Sequence, residues 1–216
     1  MAFSWTNLHV ALVDKAPEAV LTHLLIVLIT VALAIAISVP LGIVLTRPAY
    51  AKFGLVALNL LNVLQAVPGL AVIALALPIL GLGMKPAVVA LLFQSLLPIV
   101  RNTIAGLLGV GADVKEAAAG MGMTQRQILW EVELPLAMPI ILSGIRTATV
   151  YVVSVGTLAA LIGAGGLGNL IIGGLALFRP EYILVGAGLG AVMSIFFDRA
   201  LNYLEYRITP PGMRAD

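Results

Sequence analysis

Long uncharged apolar runs constrain this chain more than any other feature. Residues 21–45 contain no Asp, Glu, Lys or Arg. At roughly 1.5 Å per residue, such a run crosses a hydrocarbon core of about 30 Å as a helix. Four further apolar segments follow, at about 53–82, 86–110, 135–162 and 182–206. A chain that is 61% hydrophobic and 10% charged lies far outside the range of soluble domains. The expectation is a single all-α polytopic membrane domain over residues 1–216, with about five transmembrane helices. Segment 53–82 is too long for one straight span and too short for two with a loop, so Pro68-Gly69 is read as a break or kink in one span.

Both flanks of this core are legible. Residues 1–20 carry Asp14, Lys15 and Glu18 among apolar neighbours and read as a short interfacial helix. They lack a basic n-region and a small-residue cleavage site, so residue 21 onward reads as a true span and not a removed signal. Nine of the 12 Lys and Arg (Arg47, Lys52, Arg101, Lys115, Arg126, Arg146, Arg199, Arg207 and Arg214) fall on one side when residues 113–135 are placed in the cytoplasm. Lys15, Lys85 and Arg179 fall on the other. The positive-inside rule then puts the N-terminus outside and the C-terminus inside. Without cysteines there is no disulfide framework or thiolate metal site, and no basic patch with interleaved aromatics suggests nucleic acid.

Against this apolar background, residues 113–135 stand out. They hold Asp113, Lys115, Glu116, Arg126, Glu131 and Glu133, six of the 22 Asp, Glu, Lys and Arg residues. Asp113 with Glu116, and Thr124 with Gln127, have the spacing of helix caps. Gly120-Met121-Gly122 supplies a tight or left-handed turn between two helices, and Pro135 suits the first turn of a third. The segment is thus a short polar helix-turn-helix between two spans.

The order Glu116-Ala117-Ala118, three residues, Gly122, nine residues, Val132, one residue, Leu134-Pro135 resembles the EAA loop of ABC importer permeases. Val132 stands where that family usually has Ile. The resemblance implies that Glu116, Ala117, Ala118, Gly122, Leu134 and Pro135 belong to a cytoplasmic coupling element that docks on a separate ATPase subunit. It further implies a second permease copy or paralogue, an extracytoplasmic solute-binding protein, and a place in a prokaryotic cytoplasmic membrane. No cofactor is expected on this chain: it has no G-x-x-x-x-G-K-[ST] loop, and ATP and Mg belong to the partner ATPase.

Three more stretches narrow the likeness. Residues 62–71, centred on Pro68, and 95–103 resemble osmoprotectant permeases, those serving glycine betaine, carnitine or choline. So do 121–137 and 144–148. The run Gly163-Ala164-Gly165-Gly166-Leu167-Gly168 resembles both the osmoprotectant and the methionine branches. Its match to a dinucleotide fingerprint, with Glu181 beyond it, fails on context, because it follows a span and no strand. It reads as the start of an external loop, 163–181, with Gly163, Gly165, Gly166 and Gly168 in a turn of close backbone packing that leads into a partly buried segment near 169–177.

Other polar residues carry two readings or a plain one. Asn59, Asn62 and Gln65 recur every three residues, either for interhelical hydrogen bonds or as a strip along a translocation path. Arg101 reads as snorkelling to an interface, Asp198-Arg199, deeper in the last span, as a buried or interfacial pair, and His9 and His23 as ordinary surface or interfacial residues. Span interiors lack clustered Trp and Tyr, so a quaternary ammonium solute would find its aromatic cage on another protein. The function implied is the transmembrane subunit of an ATP-driven importer of a compatible solute. The alternatives are a methionine- or amino-acid-type permease and an ion-coupled secondary transporter.

Overall fold

The computed structural model describes residues 3–209, with the side chains of 51, 52, 55 and 64 left aside. Arg214, one of the nine same-side basic residues, lies outside the described residues. Eight helices, with a one-turn 3₁₀ helix at Pro48–Tyr50 ahead of the second, make up the fold among the described residues: α1 (Trp5–Leu45), α2 (Ala51–Ala66), α3 (Gly69–Leu80), α4 (Met84–Leu108), α5 (Ala112–Gly120), α6 (Gln125–Ile162), α7 (Leu167–Ala176) and α8 (Pro180–Ile208). Four of them, α1, α4, α6 and α8, are long and apolar enough to cross a membrane.

The fifth apolar segment is the broken pair α2–α3. Val67 is extended, and Pro68 and Gly69 divide the segment as the sequence predicts. A break inside a bilayer leaves carbonyls without donors, and they must be satisfied by protein. Gln94 of α4, buried, does so: its Nε2 donates to the Val67 carbonyl at 2.9 Å, and its Oε1 accepts from the Tyr151 hydroxyl of α6.

Residues 5–20 do not form a separate interfacial helix. They are continuous with the first span, giving a 41-residue helix whose turn at Ala11–Lys15 widens to i→i+5 spacing. Pro17 supplies the reason. Proline has no N–H for the carbonyl four residues earlier and crowds it, and a widened turn relieves both. The same device recurs at Ile128–Glu133, ahead of Pro135. The third helix expected to start at Pro135 is therefore not a new helix, because the widened turn carries α6 straight through the proline.

At its centre α4 packs against α1 and α6. The approach to α6 is close: a Cβ on Gly144 would lie 2.6 Å from the Asn102 Cβ and 2.8 Å from the Pro98 carbonyl oxygen. Small residues at such crossings let membrane helices meet backbone to backbone. On the far side of α6, Arg146 binds α8, with Nη1 2.7 Å from Asn202 Oδ1, 3.6 Å from Glu205, and Nε 3.8 Å from Asp198. Asp198 thus pairs across helices with Arg146 and not with its neighbour Arg199.

The glycine run sits at the Pro17 end of α1. Gly163, Gly165 and Gly166 have φ of +74°, +82° and +80°, and the run turns α6 back into α7 over Thr22 and His23 of α1. His23 is fully buried, contrary to the surface placement expected. Its Nε2 lies 2.9 Å from the Val153 carbonyl, just before α6 tightens to i→i+3 spacing at Gly156–Ile162. Such a junction frees a carbonyl from its helical donor, and a lone apolar-flanked histidine gives no sequence sign that it fills the role.

Candidate functional site

The polar loop lies at the opposite end of α1 from the glycine run. Helix α5 begins at Gly111, which is its N-cap; Asp113 sits inside the first turn and makes no cap, so the first of the two predicted caps is absent. The second is present in full: the Gln127 N–H reaches Thr124 Oγ1 at 3.4 Å, and the Thr124 N–H donates to Gln127 Oε1 at 2.9 Å.

Between the helices the turn explains a spacing that the motif only recorded. Gly122 has φ +84°. Its N–H donates to the Ala119 carbonyl at 2.9 Å, and the Met123 N–H donates to the Ala118 carbonyl at 3.2 Å. That pair of bonds is a Schellman cap with Gly122 at the left-handed position and Ala118 three positions before the cap residue. Glu-Ala-Ala, three residues, Gly is therefore the length of one helix end. Ala118 is 2% exposed and must be small, while Glu116 and Ala117 face solvent. Glu116 makes no ion pair among the described residues.

The widened turn then sets the second half. In Ile128–Glu133 the buried residues are Ile128 and Glu133, five apart, the spacing that an i→i+5 hydrogen bond brings one above the other. Leu134 is buried with Leu107, Ala137 and Ile141, and Pro135 is exposed. Glu133, 5% exposed, meets Arg47 Nη2 at 2.6 Å and Lys115 Nζ at 3.3 Å. Sequence reading placed Glu133 only among the loop's charges; the available signal was a carboxylate two residues before a proline.

Two other residues escaped it. Met121 is 76% exposed and Trp130 62% exposed, the two most exposed large apolar side chains of residues 112–135. Large apolar side chains held out on a loop that also carries the exposed Glu116 are of the kind that anchor protein–protein contacts.

The remaining sequence-predicted residues lie elsewhere. Asn59 and Asn62 are exposed on α2 and Gln65 is half-buried; none makes an interhelical hydrogen bond among the described residues. The glycine run borders a cavity of about 340 Å³ lined by Lys15, Glu18, Thr22, Asn169 and Tyr182. No group of three His, Cys, Asp or Glu residues is placed to hold a metal among the described residues.

The geometry brings Glu116, Ala117, Ala118, Gly122, Leu134 and Pro135 into one compact element anchored at the ends of three spans. Residues 38–210 match the family described as binding-protein-dependent transport system inner membrane component. The chain belongs to that family. Among its relatives, the choline transport system permease protein OpuBB of Bacillus subtilis (strain 168) is 45% identical over 89% of this chain and 88% of its own length. A carnitine transport permease protein, OpuCB of Listeria monocytogenes, is 47% identical over 89% and 87%. The osmoprotectant import permease protein OsmY of Salmonella typhimurium is 45% identical over 87% and 80%. The fold is shared with inward-facing structures of the MetNI methionine ABC transporter, at a TM-score of 0.80 and 22% identity over 89% of this chain and 95% of that one. It is also shared with an amino acid ABC transporter, at a TM-score of 0.75 and 20% identity over 96% and 100%. This member of the family is an inner-membrane transport permease of the ABC-importer fold.

Proposed function

We propose that the chain is the membrane-spanning subunit of an ATP-driven importer and carries a compatible solute such as glycine betaine, carnitine or choline. The observation that carries the solute class is the 45–47% identity, over nearly nine-tenths of the chain, to permeases named for choline and carnitine. Methionine and other amino acids are the second reading, and rest on fold likeness at 20–22% identity. In this reading ATP and Mg are held by separate ATPase subunits that dock on α5 and the start of α6. An extracytoplasmic binding protein delivers the solute to the opposite face, and a second permease copy or paralogue completes the path. Asn59 and Asn62, exposed on α2, and the half-buried Gln65 are available to line that path.

Uptake into cells lacking their own osmoprotectant importers, and supplied with the ATPase and binding protein, tests the solute. Labelled choline, carnitine or betaine enters and is displaced by the other two; displacement by methionine but by none of the three supports the second reading. Sidedness follows from the charge distribution. The loop carrying Lys115 and Arg126 faces the cytoplasm, and 163–181 faces outside. A reporter inserted between 163 and 181 is therefore expected to read as external, and one fused after Arg214 as cytoplasmic. A cytoplasmic reading at 163–181 reverses the assignment of the docking face.

A further inference from the structure

Glu133 is the point at which four elements meet. Arg47, just beyond the end of α1, reaches the Glu133 carboxylate with Nη2 and at the same time the Ile43 carbonyl with Nε, at 3.3 Å. Lys115 of α5 reaches the other carboxylate oxygen and the Leu107 carbonyl near the end of α4, at 3.2 Å. Each cation therefore closes a helix C-terminus, where carbonyls lack intrahelical donors and the helix dipole favours positive charge. One buried carboxylate ties both cations together.

The widened turn of α6 is the weak place in this assembly. An i→i+5 turn has poorer hydrogen-bond geometry than the helix around it and is a natural site of bending. Without a tie, a push on α5 or on the start of α6 would be absorbed there. With Glu133 fixed from two sides, the turn cannot flex unless the ends of α1 and α4 move with it. The proline at 135 is what widens the turn and swings Glu133 inward, so the Leu-Pro ending of the motif and the ion cluster form a single device.

We propose that Glu133 is a positioning residue for energy coupling, latching α5 to the cytoplasmic ends of α1, α4 and α6 so that loop displacement is transmitted to the spans. This rests on the importer reading above. The latch differs from the exposed face of α5 and the start of α6 proposed above to dock the ATPase: Glu133 is buried within the permease, and its loss leaves that face in place.

The test uses the whole complex of permease, ATPase and binding protein in proteoliposomes, with solute uptake and ATP hydrolysis measured on the same preparation. Glu133→Gln keeps shape and removes charge. It is expected to co-purify with the ATPase at wild-type yield and to hydrolyse ATP within about twofold of wild type. Solute moved per ATP is expected to fall by about tenfold, the order of a typical inter-site coupling. Arg47→Gln leaves the Lys115–Glu133 pair intact and is expected to fall less far, and Arg47→Lys to recover most of the wild-type ratio. A role in stability alone lowers the yield of complex but not the ratio. An unchanged ratio in Glu133→Gln overturns the latch, as does loss of ATPase co-purification with an unchanged ratio in whatever complex remains. Should Glu133→Gln fail to accumulate, Arg47→Gln and Lys115→Gln decide: unchanged ratios in both overturn the proposal. Failure of the importer reading is distinct, since it appears in the unsubstituted chain as no co-purification and no ATP-dependent uptake.

Discussion

Gly168→Val is expected to leave almost no folded permease in the membrane. A Cβ at this position would lie 1.8 Å from the Thr157 carbonyl oxygen and 2.8 Å from the Ala160 Cβ. The obstruction is mainly backbone, on a tight i→i+3 turn that cannot yield without unwinding α6. Overpacking a core costs about 1–3 kcal/mol where side chains can shift; with a backbone carbonyl in the way the figure is a lower bound. Gly166→Val should fail for a related reason, since φ is +80° and its Cβ would sit 2.9 Å from His23 Nδ1. Gly173→Ala, on the same helix α7, is the internal control, because among the described residues its Cβ meets nothing within 4 Å. It should be neutral or stabilising by about 0.4–1 kcal/mol. Membrane abundance and the thermal midpoint in detergent read all three. Wild-type abundance of Gly168→Val would show that α7 does not pack on α6 as described.

The second large effect is on function with the fold preserved. Among the described residues, nothing lies within 4 Å of a Cβ on Gly122. Within the chain, Gly122→Leu therefore costs only the left-handed backbone, about 1–2 kcal/mol. Gly122→Asn, whose side chain tolerates that region, costs less. If helix capping were the only role of Gly122, both variants would couple nearly normally. If the loop seats in an ATPase cleft, the space beyond Gly122 is filled in the complex. Gly122→Leu should then lose ATPase co-purification by about tenfold or more, the scale of a disturbed interface centre. Glu116→Lys should do likewise by reversing charge on an exposed surface. Permease abundance should stay within about twofold of wild type in both, as surface changes on a folded chain do. Normal co-purification of both variants would remove the loop from the ATPase interface.

Legibility in the sequence followed the physics of each feature. The spans, the break at Pro68-Gly69, the Thr124–Gln127 cap and the left-handed Gly122 are local consequences of hydropathy, proline and capping chemistry. Asp113 failed as a cap because Gly111, two residues earlier in the chain, takes the N-cap position and leaves Asp113 within the helix. Pro135 failed as a helix start because a widened turn absorbed it, and Pro17 hides the same outcome within α1. His23, Gln94 and Glu133 were out of reach for a different reason. Each satisfies a group distant in sequence, on Val153, Val67 or Arg47. Local pattern carries no information about which distant carbonyl or cation lacks a partner. The spacing from Ala118 to Gly122 was legible as a resemblance, and its cause, a Schellman cap of fixed length, became visible only in the hydrogen bonds.

Whether ATP hydrolysed by a separate subunit drives solute inward through this chain is tested by one reconstitution. Permease and ATPase are placed in proteoliposomes, and ATP hydrolysis is measured with empty binding protein, with binding protein loaded with choline, carnitine or glycine betaine, and with neither. At least one loaded form is expected to raise hydrolysis several-fold over the empty form, with labelled solute accumulating against its gradient only when ATP is present. Solute accumulation that proceeds without the ATPase subunit and follows an imposed ion gradient would contradict it.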